Sequence, residues 1–119
     1  MRLNYKLWLE HEDKVLFGQG RQELLAAIAE TGSLAGAAQK LAMSYRAAWG
    51  RLKASEQRLG FPLVEHGPQG RRTTQLTPEG RELLAWYNQL DKEMISFLEE
   101  AEGRRPAFLD SVPQRKTEP

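Results

Sequence analysis

The sequence predicts a mainly α-helical fold with a small β component. Four stretches carry apolar residues at helical spacing, and two pairs of short strand-like stretches surround turn-forming residues. A chain of 119 residues suits one domain with a single modest core. We expect this domain to span residues 1–102 and a flexible tail to span residues 103–119, where prolines and polar residues dominate.

The N-terminal stretch predicts a small hairpin. Residues 3–9, LNYKLWL, alternate between apolar and polar side chains, which is the pattern of a half-buried strand. Residues 14–17 predict a second strand after a polar turn, and Gly18 ends it. We expect this hairpin to cover the helical core.

Residues 21–31 predict a first helix with Leu24, Leu25 and Ile28 facing inward. Gly32 is a typical C-cap residue, because glycine adopts the left-handed conformation without a side-chain penalty. This helix is the expected support for the pair of helices that follows it.

Two further helices, joined by a tight turn at Ala42-Met43, are predicted for residues 33–41 and 44–59. Ser33 and Ser44 are typical N-cap residues. One apolar stripe faces inward on each helix, formed by Leu34, Ala37, Ala38 and Leu41 on the first and by Ala48, Leu52 and Leu59 on the second. Such a pair is typical of a helix-turn-helix, whose second helix enters a DNA major groove.

The second helix of the pair has a different outer face, which carries Tyr45, Arg46, Trp49 and Lys53. Trp49 lies about 100° around the helix from Ala48, off the inward stripe. We therefore expect Trp49 to be exposed, the alternative being an aromatic residue of the core.

A second hairpin is predicted directly after this helix pair. Residues 63–65 and 73–76 predict antiparallel strands, and the connecting residues 66–72 are rich in glycine, proline and basic side chains. A hairpin at this point is a wing, and its tip would bring Arg71 and Arg72 to phosphates or to the minor groove. The alternative is an ordinary solvent loop.

The last predicted helix begins with Thr77 as N-cap and Pro78 in the first turn, and it runs to about residue 102. Its apolar residues step by four and three, which is a heptad-like seam. A homodimer is the expected use of this surface, and the alternative is packing on its own domain only. The predicted dimerisation residues are Leu83, Tyr87, Leu90, Met94 and Phe97.

Charge is divided sharply along the chain, although the net charge is only +1. Residues 33–75 contain seven basic and two acidic residues, whereas residues 76–102 contain two basic and seven acidic ones. The first segment therefore carries +5 and suits a polyanion, and the second carries −5. The alternative is that both are ordinary solvated faces.

Several other functions lack a basis in the sequence. Without cysteine there are no disulfides, thiolate metal sites or cysteine nucleophiles, and this composition fits a reducing, cytoplasmic location. His11 and His66 lack the spacing of metal ligands. No long uncharged apolar run predicts a transmembrane helix. We expect no enzyme activity, no cofactor and no membrane partner.

Double-stranded DNA is the predicted partner. Ser44 and the first-turn amides would meet a phosphate, Arg46 would pair with a guanine, and Trp49 would pack on a thymine methyl or a sugar. The full set of predicted DNA-contacting residues is Ser33, Ser44, Tyr45, Arg46, Trp49, Arg51, Lys53, Arg71 and Arg72.

The segment GSLAGAAQKLAMSYRAAWGRLKASEQRLGFPLVEH, followed by QLTPEGRELL, resembles the N-terminal DNA-binding domain of molybdate-responsive ModE-type transcription regulators. It is similar, more distantly, to the winged helix-turn-helix of LysR-type regulators. SYRAAW, with Trp49, and LTPEG are its most specific pieces. The resemblance covers about residues 3–100 and implies a homodimeric, operator-binding domain in the prokaryotic cytoplasm.

Full-length ModE-type proteins bind molybdate in C-terminal β-barrel domains, and this sequence contains no segment that resembles one. We therefore expect no molybdate binding by this chain, so that any sensor would be on another chain. The competing hypothesis is a winged-helix module that binds another protein, with the acidic last helix as its active surface.

Overall fold

The structure is a computed structural model that describes residues 1–68 and 70–114, apart from the side chain of Arg71. It confirms the predicted mainly helical fold with two small sheets. The elements in chain order are β1 (Trp8–His11), β2 (Lys14–Gly18), α1 (Gln19–Thr31), α2 (Leu34–Lys40), α3 (Tyr45–Leu59), β3 (Val64–Gly67), β4 (Gly70–Leu76), α4 (Pro78–Gly103) and a short 3-10 helix (Ala107–Ser111).

The N-terminal hairpin β1–β2 is shorter than predicted. Residues 3–7 form no strand and run along α4 instead, where the Tyr5 hydroxyl donates to the Asp91 carboxylate and the Tyr87 hydroxyl donates to the Leu7 carbonyl at 2.8 Å. The predicted alternation of burial is present from Tyr5 onward, since Tyr5 and Leu7 are partly buried and their neighbours are exposed, whereas Leu3 is exposed. The apolar side of this segment therefore packs against α4, and the segment lacks the backbone hydrogen bonds that define a strand.

The core is centred on Phe17 of β2, which is fully buried. Its ring meets the ring of Tyr87 edge to face, with centroids 5.3 Å apart. The same cluster contains Leu24, Leu25, Ile28, Leu34, Ala37, Ala38, Ala48, Leu52, Leu63 and Leu76. The predicted inward residues Leu41 and Leu59 are only partly buried and pack against it.

Helix α1 ends as predicted at Gly32, whose φ is 76°. Ser33 then caps α2, because its Oγ accepts from the Gly36 amide at 2.9 Å. A Cβ at Gly36 would lie 2.8 Å from this Oγ and 3.0 Å from Cβ of Thr31. The glycine is thus explained by the cap itself, since a larger residue would press on the capping hydroxyl.

The wing, β3–β4, has longer strands and a shorter connection than predicted. The predicted strand residue Leu63 is buried in the core, and β3 begins one residue later. Pairing continues to Gly67 and Gly70, with an irregularity after His66. His66 and Arg72 therefore lie within strands, although the sequence predicted them in a loop.

Helix α4 begins as predicted with Thr77 as N-cap, whose Oγ1 accepts from the Gly80 amide at 3.0 Å. The same hydroxyl donates to the Pro62 carbonyl at 2.8 Å, and the Thr77 amide donates to the Leu63 carbonyl at 3.0 Å. A Cβ at Gly80 would lie only 2.2 Å from the Leu63 carbonyl oxygen. The LTPEG motif is therefore the joint between α4 and the start of the wing.

The predicted dimerisation seam is wrong for Tyr87, which is buried in the core of its own domain. Leu83 packs against the same core. Two other side chains of α4 are exposed, Trp86 by 51% and Phe97 by 59%, with Leu90 between them half-buried. At 100° per residue these three lie within about 40° of one another. We call them the α4 stripe.

The predicted flexible tail contains regular structure in its described part. Residues 107–111 form the 3-10 helix, and Arg105 pairs with Asp110 at 2.7 Å. The flexibility of this tail stays a prediction, and residues 115–119 lie outside the described range. Across residues 1–68 and 70–114, no helix combines the length and apolar character needed to cross a bilayer.

Candidate nucleic-acid interface

Helix α3 is held firmly by its inner face. Ala48 and Leu52 are buried, and Ser44 caps the first turn by accepting from the Ala47 amide at 3.0 Å. The preceding turn requires a positive φ of 55° at Ala42, which confirms the predicted turn. A capped and buried helix presents its opposite face in a fixed orientation, as a binding surface requires.

The exposed face of α3 carries the aromatic and basic residues that the sequence predicted for it. Tyr45 is 56% exposed and Trp49 is 49% exposed, so the alternative of a core tryptophan is wrong. Arg46 is exposed beside them. We call Tyr45, Arg46 and Trp49 the recognition face, because a base edge needs donors and flat apolar surface together.

Lys53 is less free than the sequence suggested. Its Nζ lies 5.8 Å from the centroid of the Trp49 ring and 3.2 Å from Oε1 of Glu56. The cation therefore lies over the tryptophan and is already paired with a carboxylate. Contact with a phosphate would have to compete with this ion pair.

Glu56 is the residue that sequence reasoning missed. Its side chain is 10% exposed, and its Oε2 accepts from the amides of Leu63 at 2.7 Å and of Val64 at 3.3 Å. One carboxylate therefore joins α3, Lys53 and the first residues of the wing. One feature of the sequence could have indicated this role. Glu56 is the only acidic residue of an otherwise basic helix, and it lies seven residues before Leu63.

The wing is also tied to the turn between α1 and α2. The Thr74 amide donates to the Gly32 carbonyl at 2.8 Å, and the Thr74 Oγ1 accepts from the Leu34 amide at 3.3 Å. Between wing and recognition face lies a groove of about 340 Å³, whose lining includes Tyr45, Trp49, Lys53, Val64, His66 and Thr74. The structure thus brings the recognition helix and the wing together around one open groove.

The remaining predicted contact residues lie at other places. Ser33 uses its Oγ to cap α2. Arg72 is exposed on β4, whereas the side chain of Arg71 lies outside the described part of the chain. Arg51 is exposed, but it lies about 140° around α3 from Arg46. The recognition face is therefore smaller than the predicted set of contacts.

A capped helix pair followed directly by an antiparallel hairpin defines a winged helix-turn-helix domain. The family model of the bacterial regulatory helix-turn-helix protein, lysR family, matches residues 21–81. This range covers just over half of the chain and includes all of α2, α3 and the wing. The chain therefore belongs to the lysR family of bacterial regulatory helix-turn-helix proteins.

Among characterised proteins, the relatives carry names from molybdenum metabolism. The molybdenum transport protein ModE of Herbaspirillum seropedicae is 38% identical over 92 residues, or 76% of this chain and 33% of that protein. The molybdenum-pterin-binding protein MopB of Rhodobacter capsulatus is 37% identical over 83 residues, or 68% of this chain and 31% of that protein. The predicted resemblance is confirmed, and the chain spans about a third of these relatives.

Solved structures share the fold. The CbnR DNA-binding domain in complex with DNA is 28% identical with a TM-score of 0.56, covering 73% of this chain and 99% of that one. ArgP from Mycobacterium tuberculosis is also 28% identical, with a TM-score of 0.55, and the match covers 71% of this chain and 30% of ArgP. The chain therefore shares the fold of these two structures.

Proposed function

We propose that this chain binds duplex DNA sequence-specifically and acts as a transcription regulator. The observation that carries the proposal is the recognition face, an exposed aromatic and basic surface on a capped helix with a wing beside it. The similarity to a DNA-binding domain in complex with DNA supports it further. The charge of residues 33–75, net +5, favours a polyanionic partner.

In this proposal α3 enters the major groove with its N-terminal turns. Arg46 pairs with a guanine, and Trp49 and Tyr45 pack against thymine methyls or sugars. Ser44 and the first free amides of α3 meet a phosphate at the helix N-terminus. Arg72 reaches the backbone or the minor groove from the wing.

We further propose that the regulator is a homodimer formed through α4. The α4 stripe exposes two aromatic side chains of a 26-residue helix, Trp86 beside the core residue Tyr87 and Phe97 about three turns further on, beyond the core of its own domain. Two copies of the stripe would bury each other and present two recognition helices to a two-fold operator. The proposal includes a cytoplasmic location and no cofactor.

The direct test of DNA binding is a mobility-shift titration with the preferred duplex, obtained by selection from a random library. Arg46→Ala should cost about 1–3 kcal/mol and relax preference at one base pair. Arg72→Ala should lower the affinity for all duplex sequences alike, and it should reduce the slope of log affinity against log salt by about one. Lys92→Ala on α4 is the control with the same charge change and should have no effect.

If wild-type protein shows the same weak affinity for every duplex, or if Arg46→Ala leaves the preference unchanged, the assignment of the recognition face is wrong. A protein-interaction module is then favoured, because the acidic helix α4 with its exposed aromatic residues would be the remaining surface.

Sedimentation equilibrium tests the dimer separately. Phe97→Glu should shift the protein from dimer to monomer, because two charges would face each other in the buried interface. Ile95→Glu is the matched control: Ile95 is also exposed, but it lies about 160° around α4 from Phe97. A wild-type monomer, or equal effects of both variants, would refute the stripe as the interface.

A further inference from the structure

Three arginines lie on the flank of α3 that faces α1 and the N-terminal hairpin. Arg51 and Arg58 are seven residues apart on α3, about two turns, and so share one side of the helix. Arg21 comes from the first turns of α1. We call these three residues the arginine cluster. It lies away from the recognition face, on the side of α3 opposite the wing.

Neutral acceptors hold two of the guanidinium groups. Arg21 Nε donates to Ser55 Oγ at 2.7 Å, and Ser55 is only 3% exposed. Arg58 Nη1 donates to the Val15 carbonyl of β2 at 2.9 Å. These bonds orient the side chains without neutralising them, and each group retains further N–H donors.

The cluster concentrates positive charge without a paired carboxylate. No ion pair among the described residues includes Arg21, Arg51 or Arg58. Arg21 is half-buried, and burial, followed by the charges of Arg51 and Arg58, lowers the pKa of its guanidinium. The folded domain therefore keeps a repulsive arrangement that an anion would relieve.

A small groove opens at this cluster. Its volume is about 210 Å³, and its lining consists of Val15, Leu16, Gly18, Gly20, Arg21 and Arg58. Of its two glycines, Gly20 would place a Cβ in open space, whereas a Cβ at Gly18 would meet Cβ of Trp8 at 3.3 Å. Guanidinium groups bind tetrahedral oxyanions with paired, planar hydrogen bonds, and arginine is preferred over lysine where this geometry matters.

We propose that the arginine cluster binds a phosphate group. Two sources have this chemistry, the backbone of duplex DNA and free inorganic phosphate. The first rests on the proposed function: a helix in the major groove has a phosphate strand on each side, and the cluster would hold the strand opposite the wing. The second requires no DNA binding.

The test compares Arg58→Gln with wild type, because Arg58 is exposed and its loss frees only one backbone carbonyl. Arg58→Lys retains the charge and checks whether the planar group is needed. Arg104→Gln is the matched control, since Arg104 is an exposed arginine at the end of α4. Circular dichroism verifies that each variant is folded.

For the DNA source, duplex affinity is measured across a range of salt. Arg58→Gln should lower the slope of log affinity against log salt by about one, with sequence preference unchanged. For free phosphate, wild-type protein is titrated with inorganic phosphate and followed by amide NMR. Saturable shifts at Gly18 and Gly20 should appear, and Arg58→Gln should abolish them while Arg104→Gln leaves them intact.

A positive result in either arm supports the proposal and identifies the source. If Arg58→Gln behaves like Arg104→Gln with duplex, and wild type gives no saturable shifts with phosphate, the proposal is wrong even though the recognition face still binds DNA. If wild type fails to bind any duplex, the proposed function is wrong, and the phosphate titration alone decides on the cluster.

Ser55→Ala gives an independent check. It leaves all three charges in place but removes the acceptor that orients Arg21. Affinity for the phosphate source identified above should fall severalfold, because an unoriented guanidinium loses conformational freedom on binding. Affinity equal to wild type would show that the orientation of Arg21 has no part in the site and would overturn its inclusion in the cluster.

Discussion

Two antiparallel hairpins flank α3, and they differ in the balance of apolar and polar contacts that anchor them. The N-terminal hairpin inserts the fully buried ring of Phe17 into the centre of the core. Among its described residues the wing buries only Leu76 of β4 in this core, and its base is held in addition by hydrogen bonds of Glu56 with the Leu63 and Val64 amides and of Thr74 with Gly32.

The two kinds of contact have different consequences: apolar burial mainly stabilises the domain, whereas hydrogen bonds mainly orient the wing. Apolar burial is strong and non-directional, so the N-terminal hairpin contributes to the free energy of unfolding of the whole domain. Hydrogen bonds are weaker in net terms but directional. The polar anchors therefore set the angle between wing and α3 while they leave the outer surface of the wing available to a ligand.

The largest expected effect is that of Phe17→Ala. Loss of this ring, including its edge-to-face contact with Tyr87, should destabilise the domain by about 3–5 kcal/mol. Val15→Ala in the same strand is the control and should cost no more than about 0.5 kcal/mol, because Val15 is exposed. Urea denaturation measures both, and equal costs would contradict an apolar anchor.

Gly80→Ala should come next, because its Cβ would lie 2.2 Å from the Leu63 carbonyl oxygen. We expect a loss of about 1–3 kcal/mol as α4 shifts from the base of the wing. Gly50→Ala is the matched control: a Cβ at this position on α3 would meet nothing within 4 Å, and alanine favours the helix by up to about 1 kcal/mol. Thermal melts should therefore move in opposite directions, and a rise for both variants would show that α4 does not approach Leu63 so closely.

Glu56→Gln tests whether the polar anchor orients the wing. Loss of the charge should cost about 1–2 kcal/mol and raise the rate of hydrogen exchange at the Leu63 and Val64 amides. Glu65→Gln on the exposed side of β3 is the control and should leave both exchange rates unchanged. Unaltered protection in Glu56→Gln would mean that the wing holds its position without this carboxylate.

The smallest effect concerns the segment that precedes the N-terminal hairpin. The hydrogen bond to Asp91, with burial and the Asp91 charge as further causes, raises the pKa of Tyr5 from 10.0 to about 12. A raised folded-state pKa adds stability that is complete below pH 10 and is lost as pH rises from 10 to 12. Tyr5→Phe should flatten the decline of melting temperature in this window.

The melting temperature of Tyr5→Phe should still decline with rising pH, because burial also raises the pKa of Tyr87. The comparison is therefore between two slopes measured in the same buffers. If Tyr5→Phe and wild type decline equally between pH 10 and 12, the contact between residues 3–7 and α4 does not hold in solution.

Local signals predicted the helices well. Ser33, Ser44 and Thr77 each cap the helix that the sequence assigned to them, and Gly32 ends α1 in the left-handed conformation. These features depend on a few neighbouring residues, so one sequence is enough to recognise them. The exposure of Trp49 followed from helical geometry in the same way.

Other features depend on contacts between distant residues. The alternation of apolar and polar residues at positions 3–7 predicted a strand, but the segment contacts the surface of α4 and pairs with none of the described strands. Tyr87 continued a heptad pattern, yet Phe17, seventy residues earlier, takes its ring into the core. Periodicity reports which side of an element is apolar, and it does not report which neighbour covers that side.

By itself, the sequence determined the helix boundaries, their caps, the winged helix-turn-helix order and the face of α3 that carries Tyr45, Arg46 and Trp49. Those follow from backbone preferences and helical spacing, which act over a few residues. Tertiary packing was needed to show that Glu56 joins α3 to the wing, that Trp86 and Phe97 remain exposed, and that Arg21 donates to Ser55 of α3. Such contacts form when separate elements pack together, and no local sequence pattern specifies which residue the partner will be.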